Sequence, residues 1–280
     1  MQPATRKDIA SAAVLVGQAD GLVIAAGAGM GVDSGLPDFR SNGGFWKAYP
    51  ALERAAIGFT EAASPFTFRL EPELAWGFYG HRLALYRRVV PHAGFEILRR
   101  WARKMERGAF VFTSNVDGQF QKAGFSEERI AEHHGSIHRL QCLSPCTEAT
   151  WPADAVEPDI DEAACRWRGA LPRCPDCGGL ARPNLLMFSD GQWLPARYES
   201  QGQRLATWLE TVRRPVVIEI GAGTTIPSVR RFGEGLVRER RSQLIRINVR
   251  EANASGFGDI GLPMKALEAL SAIDELAAFP

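Results

Sequence analysis

Four cysteines fall in two close pairs, Cys142 with Cys146 and Cys174 with Cys177, separated by 27 residues. In a reducing compartment such pairs point to a metal rather than to disulfides. Four thiolates close a tetrahedral zinc site, and closed sites are structural rather than catalytic. The second pair, Cys174-Pro-Asp-Cys177 followed by Gly178 and Gly179, has the usual knuckle form; the first has three intervening residues instead of two. The fifth cysteine, Cys165, could replace one ligand. Glu132-His-His-Gly135 and His138 supply imidazoles, whose ordinary pKa near neutrality suits proton transfer. Asn115 and Asp117 follow the apolar run Ala109–Thr113, so a turn could direct both into a crevice; an Asx-turn or helix N-cap is the plain alternative. Tyr79 and Arg82 are three apart and share a helix face.

Glycines mark a third kind of chemistry. Gly27-Ala28-Gly29 and Gly221-Ala-Gly223 each close an apolar run, where backbone N–H groups can approach a pyrophosphate or simply form a packing turn. The spacing of a dinucleotide fingerprint would require glycine at position 32, which is Val32, and no acidic residue ends a clear second strand about 20 residues on. Hydride transfer therefore gains little support.

These groups need a scaffold. Gly21–Ala26, Ala109–Thr113, Pro215–Ile220, Gln243–Asn248 and Asn184–Phe188 are short apolar runs suited to buried parallel strands. Helical patterns occupy 7–18, 95–107, 198–213 and 264–278. The alternation predicts an α/β fold with a doubly wound, Rossmann-like parallel sheet. Residues 1–41, 89–141 and 184–280 are expected to build it. Two interruptions, an aromatic-rich helical insertion at 42–88 and a Cys/Pro/Gly-rich, zinc-binding insertion at 142–183, are expected to form a smaller lobe. The polar motifs sit at the carboxyl ends of the strands, where open α/β sheets bind ligands.

The bulk properties exclude other classes. Of 280 residues, 45% are hydrophobic, and 33 Lys plus Arg balance 32 Asp plus Glu, so no net field attracts a polyanion. Arg230, Arg231, Arg238, Arg240 and Arg241 read as a solvated helix face rather than a nucleic-acid patch. With no secretory signal and no apolar run approaching the ~18 residues of a membrane span, a soluble, cytoplasmic protein is expected, with no membrane partner. Oligomeric state does not follow from these patterns.

The stretch Gly27-Ala-Gly-Met-Gly-Val-Asp-Ser-Gly-Leu-Pro-Asp-Phe-Arg40 resembles the sirtuin cofactor loop, G-A-G-x-S-x-x-S-G-I-P-D-F-R. Thr113-Ser-Asn-Val-Asp-Gly118 is similar to T-Q-N-I-D-G, and Glu132-His-His-Gly135 to E-x-H-G. The cysteine knuckle, Arg182-Pro183 and Ile247-Asn248 follow in the family's order. The resemblance implies an NAD-dependent protein-lysine deacylase with a structural zinc, acting on acyl-lysine proteins or peptides. It implies His134 as the base, Asn115 on the nicotinamide ribose, and Asp117 on the carboxamide. Gly27, Ala28, Gly29, Asp38, Phe39, Arg40, Ser114, Gly221, Gly223, Thr224 and Asn248 would complete the NAD site, with Phe39 shielding the reactive sugar face. His133 and His138 keep structural readings. Tyr79 and Arg82 resemble the Tyr-x-x-Arg pair of sirtuins that prefer succinyl- or malonyl-lysine, in which phenol and guanidinium hold the acyl carboxylate.

The chain departs from the pattern at four places. Gly31 replaces serine, Ser114 replaces glutamine, Phe188-Ser-Asp190 replaces F-G-E, and Gly221-Ala-Gly-Thr-Thr-Ile-Pro227 replaces the G-T-S block. These leave mono-ADP-ribosyl transfer to protein, or NAD hydrolysis, as the alternative activity on the same fold.

Overall fold

The computed structural model describes residues 4–37, 42–240, 242–254 and 256–279. Its centre is a six-stranded sheet in the order Ile260–Leu262, Gln243–Ile247, Pro215–Ile220, Gly21–Ala26, Ala109–Thr113, Ile130–Glu132, with every neighbouring pair parallel. Counted in chain order among themselves, these strands lie 6-5-4-1-2-3, the doubly wound Rossmann arrangement. Gly21–Ala26 is buried along its whole length because helices cover both faces. That is why its sequence runs apolar without alternation.

One face is packed by Arg6–Gln18, Ala93–Lys104 and Ala266–Asp274, through Val16, Leu98, Trp101 and Leu270. Ala196–Thr211 and Ser228–Arg240 cover the other, through Leu205, Trp208 and Leu236 on Phe110, Phe112 and Val217. The expected helices form within a few residues of their predicted ends. The first begins with a complete capping box, in which Thr5 and Asp8 satisfy each other's backbone N–H groups.

The 184–188 run behaves differently from expectation. Its strand is Ala181–Leu185, which pairs antiparallel with Gly135–Cys142 in a separate three-stranded sheet completed by Trp151–Pro152. Both longer strands contribute Ile137, Leu140 and Leu185 to a second core, shared with Phe45, Phe68, Trp76 and Phe78 from the helical insertion. The two insertions thus share one interior. Their contact is closest along the helix Pro72–Arg88: a Cβ on Gly77 would lie 2.8 Å from Arg166 Cα, and one on Gly80 2.8 Å from both Ile160 Cδ1 and Trp167 Cζ3. Trp76 adds a hydrogen bond from its indole to Ala181 O, at 2.9 Å.

Arg230 also departs from its expected place on a solvated face. It is buried, with its guanidinium on Ala222 O and Glu251 O. No described helix is long and apolar enough to cross a membrane.

Candidate active site

Strand order reverses between Gly21–Ala26 and Pro215–Ile220, and two glycine turns leave the sheet there side by side. Gly27 N donates to Ile220 O at 2.9 Å and Gly29 N to Gly221 O at 3.1 Å. A side chain would destroy this approach. A Cβ on Gly27 would meet Ala222 Cα at 2.8 Å; Gly221 has φ 62°, and its Cβ would stand 2.6 Å from Met30 N. The result is a crevice walled by backbone, the form that accepts a dinucleotide at a topological switch point. Ala28 opens a short 3-10 turn, Ala28–Met30. At Gly31, Leu36 occupies the room a serine would need, with Cδ1 2.9 Å from the place of its Cβ.

The carboxyl end of Ala109–Thr113 is tied to the first turn. Thr113 Oγ1 donates to Ala26 O at 3.0 Å, Ser114 N to Ala26 O at 3.1 Å, and Asn115 Nδ2 to Gly27 O at 3.0 Å. Asn115 thus spends its amide N–H₂ on the glycine turn and keeps its Oδ1 oriented by it. Asp117 is buried and accepts from Gln119 N at 2.9 Å, an Asx turn that leads into the helix Gln119–Lys122. The Asx reading is therefore also correct for Asp117: one carboxylate oxygen holds the turn. Burial raises its pKa to about 6, against that hydrogen bond, which lowers it. Asp117 also faces a cleft of about 480 Å³ shared with Tyr86, Ser136, His138 and Arg197.

His134 reaches this group from the neighbouring turn, held by a hydrogen bond to the Ser114 backbone. Burial, and then the His133 ring beside it, lower its pKa to about 4, so at neutral pH it is an uncharged imidazole able to accept a proton. His138 is structural, with Nε2 3.0 Å from Asp117 O. Glu132, at the end of the last strand of its half-sheet, is fully enclosed and paired with Arg197.

Tyr79 and Arg82 are both buried. The Arg82 guanidinium stands over Phe78, Tyr79 and Tyr86 at 5.2, 5.6 and 5.4 Å from their ring centres, and Nε donates to Tyr86 Oη at 3.0 Å. Burial opposes its charge, but Tyr86, Tyr79 and Tyr49 outweigh that and raise its pKa. Its charge is felt at Asp117, which it lowers against burial. The two predicted groups of residues therefore share one electrostatic environment.

On the other side of the switch point, Thr224 N and Oγ1 both donate to the Glu251 carboxylate, at 3.0 and 2.7 Å. Asn248 braces the same loop: its Nδ2 donates to Ala222 O at 2.7 Å, and its Oδ1 accepts from Arg250 N and Glu251 N. Gly223 lies against Glu251 as well. Beneath them Arg246 grips Glu219 through two bonds of 2.7 and 2.9 Å and reaches Glu234 at 2.8 Å. Glu251 and this ionic cluster are absent from the sequence reading. The available signal was Glu219 and Arg246, opposite charges inside two apolar runs, which sit side by side in the strand register.

The four sulfurs of Cys142, Cys146, Cys174 and Cys177 all lie within 4.8 Å of one another, with Cys142–Cys177 at 3.7 Å and Cys146–Cys174 at 3.6 Å. A tetrahedron with zinc–sulfur bonds of about 2.3 Å has edges of about 3.8 Å, so the set fits a four-thiolate zinc site. Cys165 does not join it; it is buried in the second core at φ 52°. Asp38, Phe39 and Arg40 lie outside the described residues.

A doubly wound sheet with glycine turns at its switch point, an Asn/Asp/His group beside them and a four-cysteine lobe defines a dinucleotide-binding protein of Rossmann type. The chain belongs to the Sir2 family, whose model matches residues 27–254. An NAD-dependent protein deacylase of Thermococcus kodakarensis is 30% identical over 262 residues, covering 92% of this chain and 91% of that one. A Fusarium oxysporum f. sp. cubense protein named "Probable bifunctional ADP-ribose hydrolase/ADP-ribosyltransferase" is 31% identical, covering 82% of this chain and 40% of that one. The solved structure of a Sir2 homolog–NAD complex superimposes with a TM-score of 0.71 at 23% identity, over 97% of this chain and 93% of that one, a likeness of fold.

Proposed function

We propose that this chain is an NAD-dependent protein-lysine deacylase: NAD, an acyl-lysine side chain and water give nicotinamide, free lysine and O-acyl-ADP-ribose. The observation that carries the reading is His134 anchored to the backbone of Ser114, the residue that leads into the Asn115 and Asp117 turn at the switch point. Gly27, Gly29 and Gly221 let the two turns close on each other into the wall against which the diphosphate lies, and Thr224, Asn248 and Glu251 shape the adenosine end. Asn115 orients the nicotinamide ribose. Asp117, titrating near neutrality, meets the carboxamide. Breaking the nicotinamide–ribose bond leaves a cationic sugar carbon, which the acyl oxygen captures. His134 then draws a proton through the ribose hydroxyls so that the adduct collapses. Capture by another nucleophile would not need that proton transfer, which is why this histidine favours deacylation over ADP-ribosyl transfer. Zinc bound by the four cysteines holds the small lobe, and such thiolates suit a reducing compartment such as the cytoplasm.

The acyl group we infer is acidic, because a charged Arg82 beside Tyr79 matches a carboxylate. Purified protein, NAD and acetyl-, succinyl- or malonyl-lysine peptides separate the readings. Peptide-dependent nicotinamide release with loss of acyl mass supports deacylation; gain of ADP-ribose mass, or release without peptide, establishes the alternative. Arg82→Met should slow succinyl and malonyl removal at least tenfold more than acetyl removal. Equal losses would dismiss the acidic pocket.

A further inference from the structure

His133 has no part in the reaction above, yet it is built against the base. Its ring centre lies 4.9 Å from that of His134, tilted by 40°. Two elements hold it. The strand Ala109–Thr113 contributes Thr113 O, which accepts from His133 N at 2.8 Å, and the Phe112 ring at 5.3 Å. The helix Ala196–Thr211 contributes Tyr198, whose Oη is 2.8 Å from His133 Nδ1 and whose ring packs edge-on at 5.1 Å. Phe112 is itself stacked on Phe232, 3.9 Å away. A surface histidine needs no such clamp.

Two imidazoles at this distance cannot both take a proton without strong mutual repulsion, so they titrate as a pair. Other charge near them is spoken for: Glu132 is paired with Arg197 and accepts from Gln201, and the Tyr198 phenol is kept protonated by burial. Phe112, Phe232 and Thr113 bring no titratable group. Burial alone lowers His133, whereas His134 is lowered by burial and then by charge on His133. The geometry gives the order: a protonated His133 can donate from Nδ1 to the Tyr198 oxygen 2.8 Å away, and His134 is the more enclosed ring, so the first proton goes to His133.

We infer that His133, clamped by Tyr198, is a positioning residue for His134: it takes the first proton on acidification, and its charge then keeps the neighbouring imidazole a free base. The inference rests on His134 acting as the base of the proposed deacylation, but its test does not.

Histidine Cε1–H resonances of the full chain are followed by NMR from pH 8 downward, in the wild type, His133→Phe and His133→Gln. His133→Phe keeps a ring against Phe112 but neither the charge nor the bond to Tyr198. His133→Gln keeps a polar partner for Tyr198 and removes the ring and its charge. In the wild type His134 is expected to remain uncharged at pH 5. In both variants its midpoint is expected to rise by about 0.6 to 2.5 pH units, the repulsion of like charges at this ring separation between the water limit and an effective dielectric of about 20. The acid limb of kcat/KM for acyl removal should move up by the same amount, whereas a merely structural loss would lower kcat/KM without shifting its pH dependence. If neither variant moves the His134 midpoint, the inference is overturned. If the midpoint moves but no variant or wild type removes an acyl group, the pairing stands and the deacylase reading falls.

Discussion

Asp190→Ala removes one half of the most enclosed ion pair described. Arg182 and Asp190 side chains are both fully buried, joined by bonds of 2.6 and 3.0 Å. Arg182 keeps only Leu185 O at 3.3 Å otherwise, and its Nε has no partner. The carboxylate also accepts Met187 N at 3.3 Å and Gln192 N at 3.0 Å. Stranding the guanidinium costs about 3–5 kcal/mol, and the two backbone donors add about 1 kcal/mol or more. At about 2–4 °C per kcal/mol for a chain approaching this size, the melting temperature should fall by on the order of 10–20 °C. The loss should also reach the site. Residues 186–190 bond to His134 O through Leu186 N and to Ala63 O through Phe188 N, and Ser189 holds a left-handed φ of 53° within them. Thermal and urea unfolding, with peptide KM measured well below the transition, read both effects. Arg182→Met combined with Asp190→Leu should regain most of the stability while KM stays raised, because an apolar pair needs no counter-charge but cannot anchor Met187 and Gln192. A loss below about 1 kcal/mol in the single variant would refute the idea that the pair is desolvated and compensating.

Further outcomes follow from the same geometry. Gly221→Ala forces a side chain into the left-handed region 2.6 Å from Met30 N; calorimetry should show NAD affinity reduced at least tenfold, and unchanged affinity would mean that the glycine turns do not form the crevice wall. Asp117→Asn should stabilise the fold at pH 8. Ionisation is disfavoured in the folded state, whose pKa is about 6 against 3.8 for the free group, so up to about 3 kcal/mol is present below pH 3.8 and lost as pH rises through 6. The gain in melting temperature should therefore shrink toward pH 4, and a gain independent of pH would contradict it. Elemental analysis should find one zinc per chain, and chelation should lower the melting temperature; Cys174→Ser should lose the zinc and lower the melting temperature, whereas Cys165→Ser should keep the zinc.

What could be read from the residues alone was set by burial and length. Gly21–Ala26 and Pro215–Ile220 are enclosed on both faces, which leaves an apolar run ending in glycine, broken in the second only by Glu219, and they were legible. Ile130–Glu132 and Ile260–Leu262 are three residues long and leave no run to see. The apolar stretch after Pro183 looked like another parallel strand because burial in a second core writes the same letters as burial in the first. Arg230 was misplaced for a related reason: a cluster of arginines shows charge, not which member turns inward onto Glu251 and Ala222. The cysteine set was visible because motifs preserve local spacing, and the same spacing nominates Asn115, Asp117 and His134 for the proposed site. Glu251 and the Glu219–Arg246 pair required strand register, which no single segment contains.

Gly77 and Gly80 give the aromatic helix its seat, with backbone and ring atoms of the 160–167 hairpin pressed where side chains would otherwise stand. Tyr79 and Arg82 ride on that helix, so the depth at which this pair sits is set by a hairpin that lies some eighty residues downstream. An engineer wishing to move the pair would begin at Ile160 and Trp167, against which the helix is seated, before altering either side chain.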